Sequence, residues 1–210
     1  MESASKLPFK PRVPAAERRG MIERAAEELF AVRGYEESTL DEIARAAGVT
    51  KRVIYDHFSS KRDLQIGLLR ERADELLDLV AAEALADAPA QRRLAAGLEV
   101  FFGFAEEHPY AWRLMFRDPP TDPEIVAVHA ETQARATRAL TGFLATEPRF
   151  RPPSGGEDSA WLEMVAEQLK SALDGLAAWW YEHRDVPRER IVATALDFAW
   201  EGLGQARHPR

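Results

Sequence analysis

The 210-residue chain contains no cysteine. That absence excludes disulfides, thiolate metal sites and cysteine nucleophiles, and it fits a reducing cytoplasm. No apolar run approaches the roughly 20 residues needed to cross a bilayer. The opening MESASKLPFKPRVP lacks the apolar core of a secretory signal. The expectation is a cytoplasmic protein, neither spanning nor exported. Catalytic signatures are missing as well: there is no Gly-rich phosphate loop, no zincin histidine pair and no Gly-x-Ser-x-Gly, and the five histidines are scattered. Glu106-Glu107-His108 reads as the solvated end of a helix rather than acid-base machinery. No enzyme, metal or cofactor is expected. Period-two alternation is absent too, so the expected class is all-α.

What the chain does have is a hydrophobic content of 46%, ample for a core, and a net charge of −7 that is unevenly spread. Residues 1 to 62 hold 12 basic against 10 acidic side chains, a net of +2, whereas residues 63 to 210 hold 16 against 25, a net of −9. A phosphate-binding head on an acidic body has this asymmetry.

Residues 1–14, with three prolines and Lys6, Lys10 and Arg12, read as an irregular basic arm. Ile22, Ala26, Leu29 and Phe30 then recur at helical spacing until Gly34. Thr39 with Glu42 makes a capping box that opens a short second helix over Leu40, Ile43, Ala44 and Ala47, and Gly48 supplies a left-handed turn. A third helix is expected from Thr50 through Phe58, burying Val53, Ile54 and Phe58, with Ser60 capping a fourth from about Asp63 to Ala86. Further helices are expected at Gln91–Glu107, Pro109–Phe116, from Pro123 after the Asp122 cap to about Ala145, at Asp158–Glu182 and at Pro187–Leu203, about nine in all.

The second and third helices meet the demands of a helix-turn-helix: small Ala44 at the crossing, Gly48 at the turn, and apolar Val49 and Ile54 inside. The outer face then carries Thr50, Lys51, Arg52, Tyr55 and Asp56, with His57 and Lys61 following, mostly the donors that phosphates and guanine edges require. Asp56 is out of place there unless Lys51, Arg52 or another cation pairs with it.

At these residues the chain resembles the TetR (tetracycline-repressor-like) family of bacterial regulators. The features are Phe30-x-x-x-Gly34-Tyr35, Thr39-Leu40-Asp41-Glu42-Ile43-Ala44, Ala47-Gly48-Val49, and Tyr55-x-x-Phe58 with Lys61, within residues 15 to 64. The resemblance implies a helix-turn-helix DNA-binding domain over residues 15–62 and a helical ligand-binding and dimerisation domain over residues 63–210. It implies that Thr39, Tyr55, His57 and Lys61 bind backbone phosphate and that Thr50, Lys51 and Arg52 lie at the groove end of the recognition helix. A bidentate guanine contact from Arg52 is a reading of its own chemistry. The implied function is a transcriptional repressor. As a homodimer it would hold an inverted-repeat operator in double-stranded DNA, and a small apolar or aromatic inducer would release it. The alternative is a DNA-binding protein without an inducer.

Aromatic residues crowd the C-terminal part. The resemblance implies an inducer pocket enclosed by the middle helices, here 5 to 7, with Phe101, Phe104, Tyr110, Trp112, Met115 and Phe116 as its expected lining and His129 and Gln133 as polar handles. For the dimer, one stripe carries Val165, Leu169, Leu173, Leu176 and Trp180, and another Ile191, Ala195, Phe198 and Gly202, although either stripe could face the protein's own core. The fourth helix, joining head to pocket, is the expected lever.

Overall fold

The computed structural model describes residues 14–116, 122–147, 150 and 159–202, except the side chains of Phe116 and Ser159. The basic arm before Pro14, the loop at Asp118–Thr121 and Leu203 lie outside the described residues. Among those residues there are nine α-helices and no strand: α1 Ala15–Arg33, α2 Leu40–Ala46, α3 Lys51–Tyr55, α4 Lys61–Ala84, α5 Ala90–Glu107, α6 Pro109–Phe116, α7 Pro123–Thr146, α8 Ser159–Glu182 and α9 Arg188–Asp197. The all-α expectation stands. The chain divides into two compact units, residues 1–64 and 65–210.

In the first unit, Ile22, Ala26, Phe30, Ile43, Ala44, Ala47, Ile54 and Phe58 form the core, each no more than 5% exposed. Gly34 ends α1 at φ 86°, a left-handed value that favours glycine. The capping box at α2 forms as expected: the Thr39 hydroxyl accepts from the Glu42 N–H while the Glu42 carboxylate accepts from the Thr39 N–H. Gly48, at φ 67°, turns the chain so that the Val49 N–H reaches the Ala44 carbonyl at 2.9 Å. The third helix is shorter than expected. Its end tightens as the His57 N–H bonds to the Ile54 carbonyl three residues back, and Val53 is half-buried rather than buried.

In the second unit α7 packs along α8, and α5 along α9. An aromatic core joins them. Phe102 meets Trp180 edge-on at 5.9 Å, Trp112 stacks on Tyr181 at 5.2 Å, and the Trp180 indole N–H donates to the Val186 carbonyl. Arg188, opening α9, bridges Glu99 and Glu106 of α5, so Glu106 is a packing partner, and the Glu106–His108 trio ends a helix as expected. The last helix differs from the expected regular run: Phe198–Gly202 forms one π-helical turn. This wider turn sets Trp200 edge-on to Phe150 and leaves Phe198 56% exposed.

Candidate functional site

The outer face of α3 is positioned from its own start. The Thr50 hydroxyl caps the helix by accepting from the Val53 N–H at 3.4 Å, which orders the turn carrying Lys51 and Arg52. The Lys51 ammonium donates to the Asp41 carboxylate at 2.8 Å, and this hydrogen bond holds its pKa above the usual lysine value. Lys51 therefore links α3 to α2 and is not the partner of Asp56. Arg52 is exposed, with no hydrogen bond or ion pair to a described residue, and Tyr55 is 52% exposed beside it. His57 is half-buried with its ring 6.4 Å from that of Phe58. Thr39 sits at the head of α2, its hydroxyl engaged by Glu42, whose carboxyl is held below the usual range by these Thr39 bonds and by Arg33. Lys61 is placed unexpectedly: its ammonium donates to the carbonyls of Tyr35 at 2.8 Å and Ser38 at 3.0 Å and lies 4.1 Å over the Tyr35 ring. Thr50, Lys51, Arg52 and Tyr55 thus share the α3 segment, with Thr39 and Lys61 at the flanking helix starts.

The second unit contains a cavity of about 420 Å³ walled by α4, α5, α7 and α8. Its lining is aliphatic for the most part, from Leu76 and Val80 on α4, Leu98 and Phe101 on α5, Leu140 and Phe143 on α7, and Leu169 and Leu173 on α8. Of the pocket residues expected from sequence, Phe101 lines this cavity. Phe104, Tyr110, Trp112 and Met115 are instead buried in the packed interior, and the side chain of Phe116 lies outside the described residues. Tyr110 and Trp112 of α6 are taken up by core packing instead of the wall. His129 and Gln133 face the Met115 carbonyl, at 2.5 and 3.2 Å, rather than the cavity.

Sequence reasoning missed the cavity because small residues are set among its larger lining side chains. Ala81 and Ala84 on α4, Gly97 on α5, and Ala136, Ala139 and Gly142 on α7 leave the space that larger side chains would fill. It also missed the cavity's charged members, Arg93, Lys170 and Asp174. A signal existed: Lys170 and Asp174 lie at i and i+4, beside the apolar residues Leu169 and Leu173. Lys170 donates to the Gln133 side-chain carbonyl at 2.9 Å and pairs with Glu167 at 3.1 Å, and Glu167 accepts from Thr137 at 2.7 Å. The Thr137 bond, followed by Lys170, holds the Glu167 carboxyl below its usual range. The Asp174 carboxyl is pushed up to about 6 by burial; Glu167 adds to the rise and Lys170 opposes it.

Most of the residues on the expected dimer stripes are taken up inside the protomer. Val165, Leu169, Trp180, Ile191 and Ala195 are buried within the protomer, and Leu173 and Leu176 are half-buried against the same interior, so these residues have intramolecular partners. Phe198 and Gly202 are exposed. The large apolar side chains left exposed among the described residues of α8 are Met164 and Trp179. Among the described residues no His, Asp or Glu cluster could hold a metal, and no helix is long and apolar enough to cross a membrane.

Comparison with known proteins agrees with this architecture. Residues 22–66 match the family described as bacterial regulatory proteins, tetR family, and residues 90–202 match the tetracyclin repressor-like C-terminal domain. The transcriptional activator FasR of Mycolicibacterium smegmatis is 34% identical over 195 residues, covering 91% of this chain and 85% of that protein. The fatty acid metabolism regulator protein of Bacillus subtilis is 32% identical over 57% of this chain and 59% of its own length. Among solved structures, FadR from Bacillus halodurans superposes with a TM-score of 0.77 at 19% identity, over 95% of this chain and all of that one. Bacillus subtilis FadR in complex with stearoyl-CoA gives 0.74 at 20% identity, over 87% and 98%. With a matching helix-turn-helix domain, a matching C-terminal domain and a relative aligned along nearly its whole length, the chain belongs to the TetR family of helix-turn-helix transcriptional regulators.

Proposed function

We propose that this regulator acts from the cytoplasm as a homodimeric repressor on an inverted-repeat operator and is released when a small apolar ligand enters the cavity between α4, α5, α7 and α8. The observation that carries the reading is the cavity itself. Its volume lies within the range of small-molecule sites, and its walls are apolar save for a few charged groups. A regulator without an inducer has no need of such a space, which disfavours the alternative. The relative named for fatty acid metabolism, and the neighbour holding stearoyl-CoA, support a ligand with an apolar chain. Binding rather than catalysis is then the whole activity.

DNA contact is assigned to Thr50, Lys51, Arg52 and Tyr55 on α3, with Thr39 and His57 flanking, whereas the Lys61 ammonium is engaged by the Tyr35 and Ser38 carbonyls. One head buries too little DNA surface for tight binding, so a twofold pair on two half-sites is required. The exposed Met164, Trp179 and Phe198 are the apolar residues on α8 and at the end of α9 available to the second copy. Release follows from linkage: a ligand preferring the state with weaker operator affinity lowers that affinity by its preference ratio, and DNA weakens ligand binding equally. The test is to select a randomised duplex pool with the purified protein, then titrate the recovered operator with apolar-chain compounds. An inverted repeat released by such a compound supports the reading. A direct repeat, or an operator affinity indifferent to every ligand that binds the cavity, overturns it.

A further inference from the structure

Three charged side chains line the cavity: Arg93 from α5, and Lys170 and Asp174 from α8, whereas α4 and α7 contribute none. Two of the three already have counter-charges. The Arg93 guanidinium pairs with Glu147 and donates to the Ala84 carbonyl at 2.6 Å, and the Lys170 ammonium is held by Glu167 and Gln133. Asp174 has no hydrogen bond or ion pair with a described residue. With Arg93 matched by Glu147 and Lys170 by Glu167, the charge left over in this apolar chamber is that of Asp174. A half-buried carboxylate without a donor is unfavourable, and anything that supplies a donor there gains what the carboxylate lacks.

We propose that Asp174 selects the head of the ligand: the cavity takes an amphiphile whose apolar body ends in a hydrogen-bond donor seated on this carboxylate, and it rejects the same body ending in a free carboxylate. This rests on the cavity being the ligand site. An ammonium head gains a charge-assisted hydrogen bond from Asp174, a hydroxyl gains a neutral-to-charged one, and a carboxylate meets a like charge in a medium of low dielectric. Lys170 does not reverse this order, because Glu167 and Gln133 already hold its ammonium. The ordinary carboxyl range is well below neutrality, but burial raises Asp174 to about 6, so the preference for an ammonium weakens as the medium is acidified through that value.

The experiment compares decylamine, decanol and decanoate, three probes with one body and different heads, by titration calorimetry with the full-length wild type and Asp174→Asn. At about pH 7.5 the expected order is decylamine, then decanol, then decanoate, with about tenfold or more between first and last, one charge-assisted contact being of that size. In Asp174→Asn the span collapses and decanoate binds more tightly than in the wild type. At about pH 5, below the titration of Asp174, the wild-type span narrows toward that of the variant. Circular dichroism verifies that the variant is folded. If the probes bind but decanoate is as tight as decylamine, or the order survives in Asp174→Asn, head selection by Asp174 is wrong while the cavity reading stands. If none of the three binds, both fall.

Discussion

The Lys61 ammonium donates to the Tyr35 carbonyl at 2.8 Å while standing 4.1 Å above the ring of the same tyrosine, and its next bond, to Ser38, is 3.0 Å long. The start of α4 thereby holds the connection between α1 and α2, where the backbone carbonyls would otherwise need other donors. Replacing Lys61 with Met keeps the stem and removes the donors. Urea unfolding is expected to show a loss of about 1 to 2 kcal/mol, the scale of charge-assisted bonds and a cation–π contact at a partly solvated site. The slope of log affinity against log salt for operator DNA should hold. A slope lowered by about one unit with intact stability assigns Lys61 to a phosphate instead.

Arg52 contrasts with its neighbour Lys51, which is tied to Asp41 at 2.8 Å. The exposed Arg52 guanidinium is available for a bidentate contact to guanine O6 and N7. Arg52→Ala is expected to relax discrimination at one base pair in each half-site, at a cost of about 1 to 3 kcal/mol there. Repeating the duplex selection with the variant checks this, and an unchanged base preference at every position removes the assignment.

The head was legible in the sequence because local rules decide it. Thr39 and Glu42 cap reciprocally, Gly34 and Gly48 relieve left-handed turns, and Ile43, Ala44 and Ile54 recur at helical spacing, so short-range chemistry and core packing agree. The cavity was not legible, since a void is the difference between neighbouring volumes on four helices, and Gly97 or Ala139 carries no sign of what stands opposite. Trp112 and Tyr110 are large aromatic residues, but bulk is what fills an interior, and both are buried in packing. The dimer stripes are ambiguous for a related reason: periodicity reports that one face of α8 is apolar, not whether its partner is intramolecular, and Leu169 and Trp180 are buried within the protomer while Phe198 of the second stripe stays exposed. The π-helical turn at Phe198–Gly202 has no period of its own in the sequence, and it shifts which residues of the last helix stay exposed.

Gly97 offers a way to close the cavity from within α5. A Cβ built there meets Val80 Cγ1 at 3.9 Å, an ordinary contact, so the first carbon of a side chain fits and the rest extends toward the lumen. Gly97→Leu is expected to raise stability by about 1 to 2 kcal/mol, from helix propensity and filled space. It should also abolish binding of apolar-chain ligands. Thermal unfolding with and without decanol checks both: the variant should melt higher alone and gain nothing from the ligand. A ligand-induced rise equal to that of the wild type shows that the compound sits elsewhere.

Asp174 makes a separate prediction about stability, independent of any ligand. Burial raises its carboxyl from 3.8 to about 6 in the folded chain, with Lys170 opposing and Glu167 adding to the effect. Between those two values the folded chain holds more of the Asp174 proton than the unfolded chain does. This group's contribution is therefore fully present below the lower value, falls as pH rises toward the upper one, and stays lost above it. Asn at this position is neutral at every pH. The stability of Asp174→Asn relative to wild type should then rise from about pH 4 and level off above pH 6, by about 2 kcal/mol, the shift implying somewhat more and the remaining exposure of the carboxyl reducing it. Paired urea titrations of the two proteins at a series of pH values measure that difference directly, with all other titrating groups common to both. A difference that is flat across this range means that Asp174 is as well solvated in the folded protein as in the unfolded chain, and the donor-seeking character assigned to it would lose its physical basis.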